Sequence, residues 1–150
     1  MNSGEILQRS RTILLVDWPA RDVPETLVRN GFTVYVKGGP AADDFFLQGW
    51  RDNQLVQQRT GRAPEHADLV YSYRPLAELP GIIELAKSVG AKTIWTQSGL
   101  SSDGSKNLRG CWLPELDRTQ ARHKIQAAGL HHVCQPYIAD VARQIAHSSS

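Results

Sequence analysis

The sequence predicts an α/β fold, doubly wound, with a mostly parallel five-stranded sheet and helices on both faces. Three observations carry this. Apolar strand-like runs alternate with amphipathic helix-like runs along nearly the whole chain, and helix passes to strand through a glycine at Gly31, Gly90 and Gly129. Parallel strands joined by covering helices are the arrangement that such an alternation requires, because each crossover has to pack back onto the sheet. The whole chain, 1–150, reads as one domain, with residues 1–10 and 147–150 as tails.

The elements follow in order. TILLVD (12–17) is apolar on both faces, as a buried strand is. VPETLVRN then sets Val23, Leu27 and Val28 at helical spacing, with Asp22 as N-cap, Pro24 early and Gly31 as the stop. FTVYVK gives a second strand, broken at Gly38-Gly39-Pro40. Residues 41–66 hold neither a period of 2 nor of 3.6 and read as helix plus loop, with Asp43-Asp44 at a helix N-terminus.

LVYSY (69–73) is the third strand. From Pro80 to Val89 a helix turns Ile82, Ile83, Leu85, Ala86 and Val89 inward, and KTIWTQ follows as the fourth strand. A helix over 114–128 repeats Leu113, Leu116, Ala121, Ile125 and Ala128 at steps of three and four, HHVCQ is the fifth strand, and YIADVARQIAH the last helix.

Composition narrows the function. The chain is 41% hydrophobic with a formal charge of +2, and its basic residues are scattered, so no nucleic acid partner is expected. No apolar run approaches the roughly 20 residues that span a bilayer. Cys111 and Cys134 form neither a CxxC pair nor a zinc-finger spacing, which fits a reducing, cytoplasmic protein without a metal. His131 and His132 are adjacent on a strand, point to opposite faces and share no metal.

The parts of a hydrolase, NTPase or zinc protease, GxSxG, GxxxxGK[ST] and HExxH, are missing, as is GxGxxG. No catalytic residue is assigned. Cys134 reads either as a small buried hydrophobe or as a reactive thiol near a strand end.

In a doubly wound sheet the ligand crevice lies outside the carboxyl ends of the strands. Here those ends carry Asp17-Trp18-Pro19-Ala20-Arg21, Lys37-Gly38-Gly39-Pro40, Ser72-Tyr73-Arg74-Pro75 and Thr96-Gln97-Ser98-Gly99. Aromatic and Arg planes stack on a base, Arg pairs with phosphate, and Gly lets backbone N–H groups approach it. Trp18, Arg21 and Gly38 are candidate ligand contacts on this ground.

PGIIELAKSVGAKTIWTQSGL (80–100) resembles a run typical of the small stand-alone CoA-binding domain proteins, a Rossmann-like family related to the CoA-binding domain of succinyl-CoA synthetase. Gly90, Ala91, Lys92, Trp95, Gln97 and Gly99 match in register, Tyr73-Arg74 stands where the family has Phe-Arg, and AAGLHHV (127–133) is similar to the stretch before its last strand. The resemblance implies coenzyme A or acyl-CoA lying across the strand ends. It carries binding roles to Tyr73, Arg74, Gln97 and Gly99, and location adds Ser98.

Three positions depart from that pattern. Asp17 holds a glycine position in a shortened first loop, where its charge repels a pyrophosphate unless Arg21 compensates. Gly38-Gly39-Pro40 replaces Asn-Pro, and Gln135-Pro136-Tyr137 replaces Asp-Arg-Cys.

The leading expectation is a non-enzymatic module that binds CoA or a related nucleotide at the carboxyl edge of the sheet, with no membrane partner and with room for a homo-oligomer. One alternative is a small acyl-CoA or nucleotide-dependent enzyme using Cys134, Asp17 or a His. Another is an interaction protein that lost the ligand and presents residues 41–66, Trp50 and Trp112.

Overall fold

A computed structural model describes residues 2–148, with side chains described to residue 146. Its centre is a sheet of strands β1 (Thr12–Val16), β2 (Thr33–Lys37), β3 (Phe45–Arg51), β4 (Gln54–Arg59), β5 (Leu69–Ser72), β6 (Thr93–Thr96) and β7 (His131–Val133). Spatial order is β4-β3-β2-β1-β5-β6-β7. β2, β1, β5, β6 and β7 run parallel, while β3 and β4 are antiparallel additions beside β2.

Helices cover both faces, because alternate residues of each buried strand point to opposite sides. Ile13, Leu15, Val34, Val36, Tyr71 and Trp95 meet Leu7 of α1 (Ser3–Gln8), Val23 and Leu27 of α2 (Asp22–Arg29) and Ile138 and Val141 of α5 (Ile138–Ser148). Leu14, Val70 and Ile94 meet Ile82 and Ala86 of α3 (Leu79–Ser88) and Ala121 and Ile125 of α4 (Glu115–Ala127) on the other side. The expected class holds. No helix among the described residues is long and apolar enough to cross a membrane.

Several local expectations are corrected. Among the described residues the sheet has seven strands rather than five, because the stretch 41–66, expected as helix plus loop, contains the β3–β4 hairpin. Its two-residue turn, Asp52-Asn53, places both residues at positive φ, 52° and 60°, the geometry that matches the twist of paired strands. Asp43 and Asp44 therefore start no helix; the Asp44 carboxylate instead accepts the Ala41 N–H across a turn.

Of the expected tail 1–10, residue 1 lies outside the described residues and 2–10 are not a tail, since α1 buries Leu7 completely against α5 and is capped by the Asn2 side chain. At the other end 147 and 148 belong to α5, and 149–150 lie outside the described residues. Asp22 is no N-cap: it lies within α2, where its carboxylate accepts from Thr26, Tyr137 and Arg143. Leu116 faces solvent instead of the core. Trp50 is half-buried beneath the Arg29 guanidinium, 4.8 Å from the ring centre, so of the two proposed surface tryptophans only Trp112 is exposed.

Candidate functional site

Because the central strands are parallel, their carboxyl ends share one edge of the sheet. The chain leaves β1 toward β2 on one side, whereas β5 and β6 lie on the other, so the order reverses between β1 and β5. A crevice at such a reversal is not roofed by a crossover, and this is where ligands enter the fold.

Two cavities open there. One, of about 520 Å³, lies over the ends of β1 and β2 and is lined by Asp17, Trp18, Lys37, Gly38, Gly39, Pro40, Arg74 and Glu78, with Val16 at its base. A second, of about 290 Å³, lies over β5 and β6, where Tyr73, Pro75, Leu76, Leu100 and Leu113 form an apolar wall beside Thr96, Gln97 and Ser98. Arg74 lines both.

The structure thus gathers Trp18, Gly38, Tyr73, Arg74, Gln97 and Ser98 around one edge. Gly99 lies directly under the Tyr73 ring, at φ 71°, and a β-carbon there would come within 2.7 Å of the ring carbon Cε2. Arg21 lines neither cavity; its side chain is 65% exposed and faces Glu25 at 3.9 Å.

The departure at Asp17 acquires a geometry. Its backbone keeps a left-handed φ of 74°, which Asp tolerates better than most residues, and its Oδ1 accepts the Trp18 N–H at 2.9 Å. Its Oδ2 accepts from Arg74 Nη1 at 3.2 Å, so the compensating cation is Arg74 rather than the expected Arg21. Arg74 also donates through Nε and Nη2 to Glu78, at 3.0 and 2.7 Å. Hydrogen bonds to Glu78 and then Asp17 raise the guanidinium above its ordinary pKa.

Gln97 is buried and serves the following loop. Its amide N–H₂ donates to the Gly110 carbonyl and, at 3.3 Å, to Cys111 Sγ, which leaves Oε1 as a buried acceptor with no partner among the described residues. Ser98 Oγ accepts the Leu100 N–H at 3.1 Å. The same loop is tied to α5 by Arg109, which donates to Asp140 and sits 5.4 Å over the Tyr137 ring. Arg143 closes the cluster by bonding both Asp140 and Asp22. Sequence reading missed this cluster, because Asp22 and Arg109 are far in the chain from Tyr137, Asp140 and Arg143 and meet them only through the fold.

Burial pushes the Cys111 thiol up, against a smaller opposing effect of the Gln97 donor, and Cys134 is buried.

Gly110 is where the loop passes over itself: a β-carbon there would overlap the Leu100 backbone, lying 2.7 Å from its nitrogen. Neither partner is a flexible side-chain end. Gly110→Ala is expected to destabilise the protein by about 1–3 kcal/mol, as other overpacked sites are. Urea denaturation checks this, and an unchanged midpoint would mean the loop packs otherwise.

Comparison with known proteins agrees with this architecture. Among solved structures the chain is similar to a PH1109 protein redesigned for binding (18% identity, TM-score 0.59, covering 95% of this chain and 88% of that one). It is also similar to a hypothetical protein from Pyrococcus horikoshii OT3 (20%, TM-score 0.57, 93% and 87%) and to a protein from Thermus thermophilus (17%, TM-score 0.60, 97% and 99%). At these identities the likeness shows the fold. No curated protein matches the sequence. The model of the CoA binding domain matches residues 16–137, from the end of β1 to the start of α5, and the chain therefore belongs to the CoA binding domain family.

Proposed function

We propose that the protein is a non-enzymatic module that binds coenzyme A, or an acyl-CoA, across the carboxyl edge of its sheet. The observation that carries this is Arg74, which lines both a cavity carrying four charged side chains and a more apolar one over β5 and β6 on that edge. Coenzyme A has the matching division, a phosphorylated nucleotide joined to a long neutral arm that bears amides and a thiol.

In this reading the nucleotide lies over β1 and β2, with Trp18 and Gly38 as walls and its phosphates near Arg74. The arm crosses Arg74 into the cavity of Leu76, Leu100 and Leu113, beneath Tyr73 and beside Thr96 and Ser98, with the buried Gln97 holding the wall from behind. Gly99 and Ser98 act by shaping that wall rather than through direct bonds. Arg21 remains a long-range positive charge at the entrance to α2.

The raised Cys111 thiol and the buried Cys134 favour binding over catalysis. Two unpaired thiols also suit a reducing compartment such as the cytoplasm.

Thermal unfolding with CoA, acetyl-CoA and NAD tests the reading. At about a hundredfold excess over Kd, a ligand specific to the native state adds roughly 3 kcal/mol of stability. CoA and acetyl-CoA are expected to give that shift and NAD is not. Arg74→Ala is expected to weaken CoA by about 10- to 100-fold, through loss of a charge-assisted phosphate bond. No shift with CoA would overturn the reading and favour an interaction protein on this scaffold; unchanged affinity in Arg74→Ala would move the site elsewhere.

A further inference from the structure

Four charged side chains line the larger cavity: Asp17, Lys37, Arg74 and Glu78. Their formal charges cancel. Lys37 Nζ is held by the carbonyls of Gly39 and Ala41, at 2.8 and 3.2 Å, and Arg74 is clasped between Glu78 and Asp17. A polyanion that reaches this cavity therefore meets two cations that already have partners, and two carboxylates.

The two carboxylates hold Arg74 differently. Glu78 lies four residues further along the chain and chelates one edge of the guanidinium through Nε and Nη2. Asp17 comes from the opposite side of the crevice, across the reversal between β1 and β5, and takes Nη1 alone. Its other oxygen is fixed by the Trp18 N–H, so the backbone aims Oδ2 at the arginine. Asp17 accepts a left-handed backbone to stand there, where glycine would be under no strain.

Stability does not account for the pair. Both side chains are more than two-fifths exposed, and ion pairs of that kind contribute little to folding. What the pair does control is the outward-facing donor of Arg74.

We propose that Asp17 is an internal competitor for the ligand's phosphate, a residue that sets affinity and selectivity by engaging Arg74 Nη1 in place of a phosphate oxygen. The proposal rests on the CoA reading above. Binding exchanges one anion for another: the phosphate accepts from Arg74 Nη1, and the Asp17 carboxylate turns out to solvent while Glu78 keeps its own edge. A ligand with a single weak anion does not displace Asp17, whereas one with several phosphate charges does. The site is thereby biased toward multiply phosphorylated ligands, at the expense of absolute affinity.

Asp17→Asn is the informative change, because Asn tolerates the same backbone and still offers an oxygen to the Trp18 N–H while losing the charge. Calorimetric titration with CoA and with inorganic pyrophosphate compares the natural protein, Asp17→Asn, Arg74→Ala and the double variant. Thermal unfolding confirms that each is folded. The expected result is about tenfold tighter binding of both probes by Asp17→Asn, and no such gain when Arg74 is already alanine.

Equal CoA affinity in the natural protein and Asp17→Asn would overturn the competition and leave CoA binding standing. A gain that persists without Arg74 would also overturn it, since Asp17 would then act by plain repulsion. If no variant binds CoA but Asp17→Asn strengthens pyrophosphate through Arg74, the CoA reading fails and the competition stands. If neither probe binds any variant, both fall.

Discussion

Trp95→Ala is expected to lower stability by about 3–5 kcal/mol, enough to leave little folded protein in a domain of ordinary stability. Trp95 is fully buried on β6, level with Tyr71 of β5 and Val133 of β7, and lies in the same cluster as Tyr137 and Ile138 of the α5 segment. Truncation removes the largest side chain of that face and opens a cavity that the neighbouring parallel strands cannot close. It also removes the indole N–H that donates to the Pro136 carbonyl at 3.2 Å. Trp95→Phe fills most of the space and forfeits mainly the hydrogen bond, so its cost is expected to be near 1 kcal/mol. Denaturant unfolding of both variants checks the order; a loss below 1 kcal/mol for alanine would refute the packing described. Gln97 lies two residues further on, just past the end of β6, so the same experiment probes how firmly the wall of the smaller cavity is anchored.

Protonation of His132 is expected to drain stability between pH 6.5 and pH 4. Burial, and then the charge of Arg122, push its imidazole down from 6.5 to about 4, so the folded state holds the ring neutral where the unfolded chain would protonate it. The sign follows from that depression. The contribution is fully present above pH 6.5, falls as the unfolded state gains a proton the native state refuses, and is exhausted below about pH 4. Its size is at most about 3 kcal/mol, reduced by such solvent as reaches the half-buried ring. The Asp22, Asp68 and Asp140 carboxylates are all held below their ordinary pKa of 3.8, so their losses belong to more acid solution. Stability measured from pH 7.5 to 4 is expected to slope downward in the natural protein and to flatten in His132→Asn. A slope that survives the substitution would assign the proton elsewhere. Nε2 of this histidine lies 2.8 Å from Thr96 Oγ1, at the foot of the smaller cavity, so acid is expected to loosen that strand end as well.

The parallel core was legible in the sequence for a plain reason: strands buried on both faces are short apolar runs, and glycine closes the helices between them. The β3–β4 hairpin was not legible. β4 is exposed along almost its whole length, so no apolar alternation marks it, and its turn is Asp-Asn without the glycine that would have signalled positive φ. α1 escaped notice because only two adjacent apolar residues, Leu7 fully and Ile6 partly buried, carry its contact with the core, too few to show a helical period.

At the candidate site, the placing of residues on one edge followed from parallel order alone, whereas their partners did not. That Gln97 directs its N–H₂ to Gly110, or that Arg74 takes Asp17, depends on how loops from distant parts of the chain fold back. Asp17 is the instructive case. Its identity suggested a repelled phosphate, and only the backbone angle and the side-chain direction show that its charge is already engaged.

The reversal between β1 and β5 also has a place in time. The ladder between them is flanked by the Asp68 carboxylate bonding the Arg11 N–H, a contact between residues 57 apart, while the hairpin and each helix close over short stretches of chain. Loops of that length are slow to close, so the central ladder forms only after the local pieces exist. The crevice thus waits on a long-range closure, and the face of the sheet behind it waits on a longer one, since Arg143 of α5 reaches Asp22 of α2 across 121 residues.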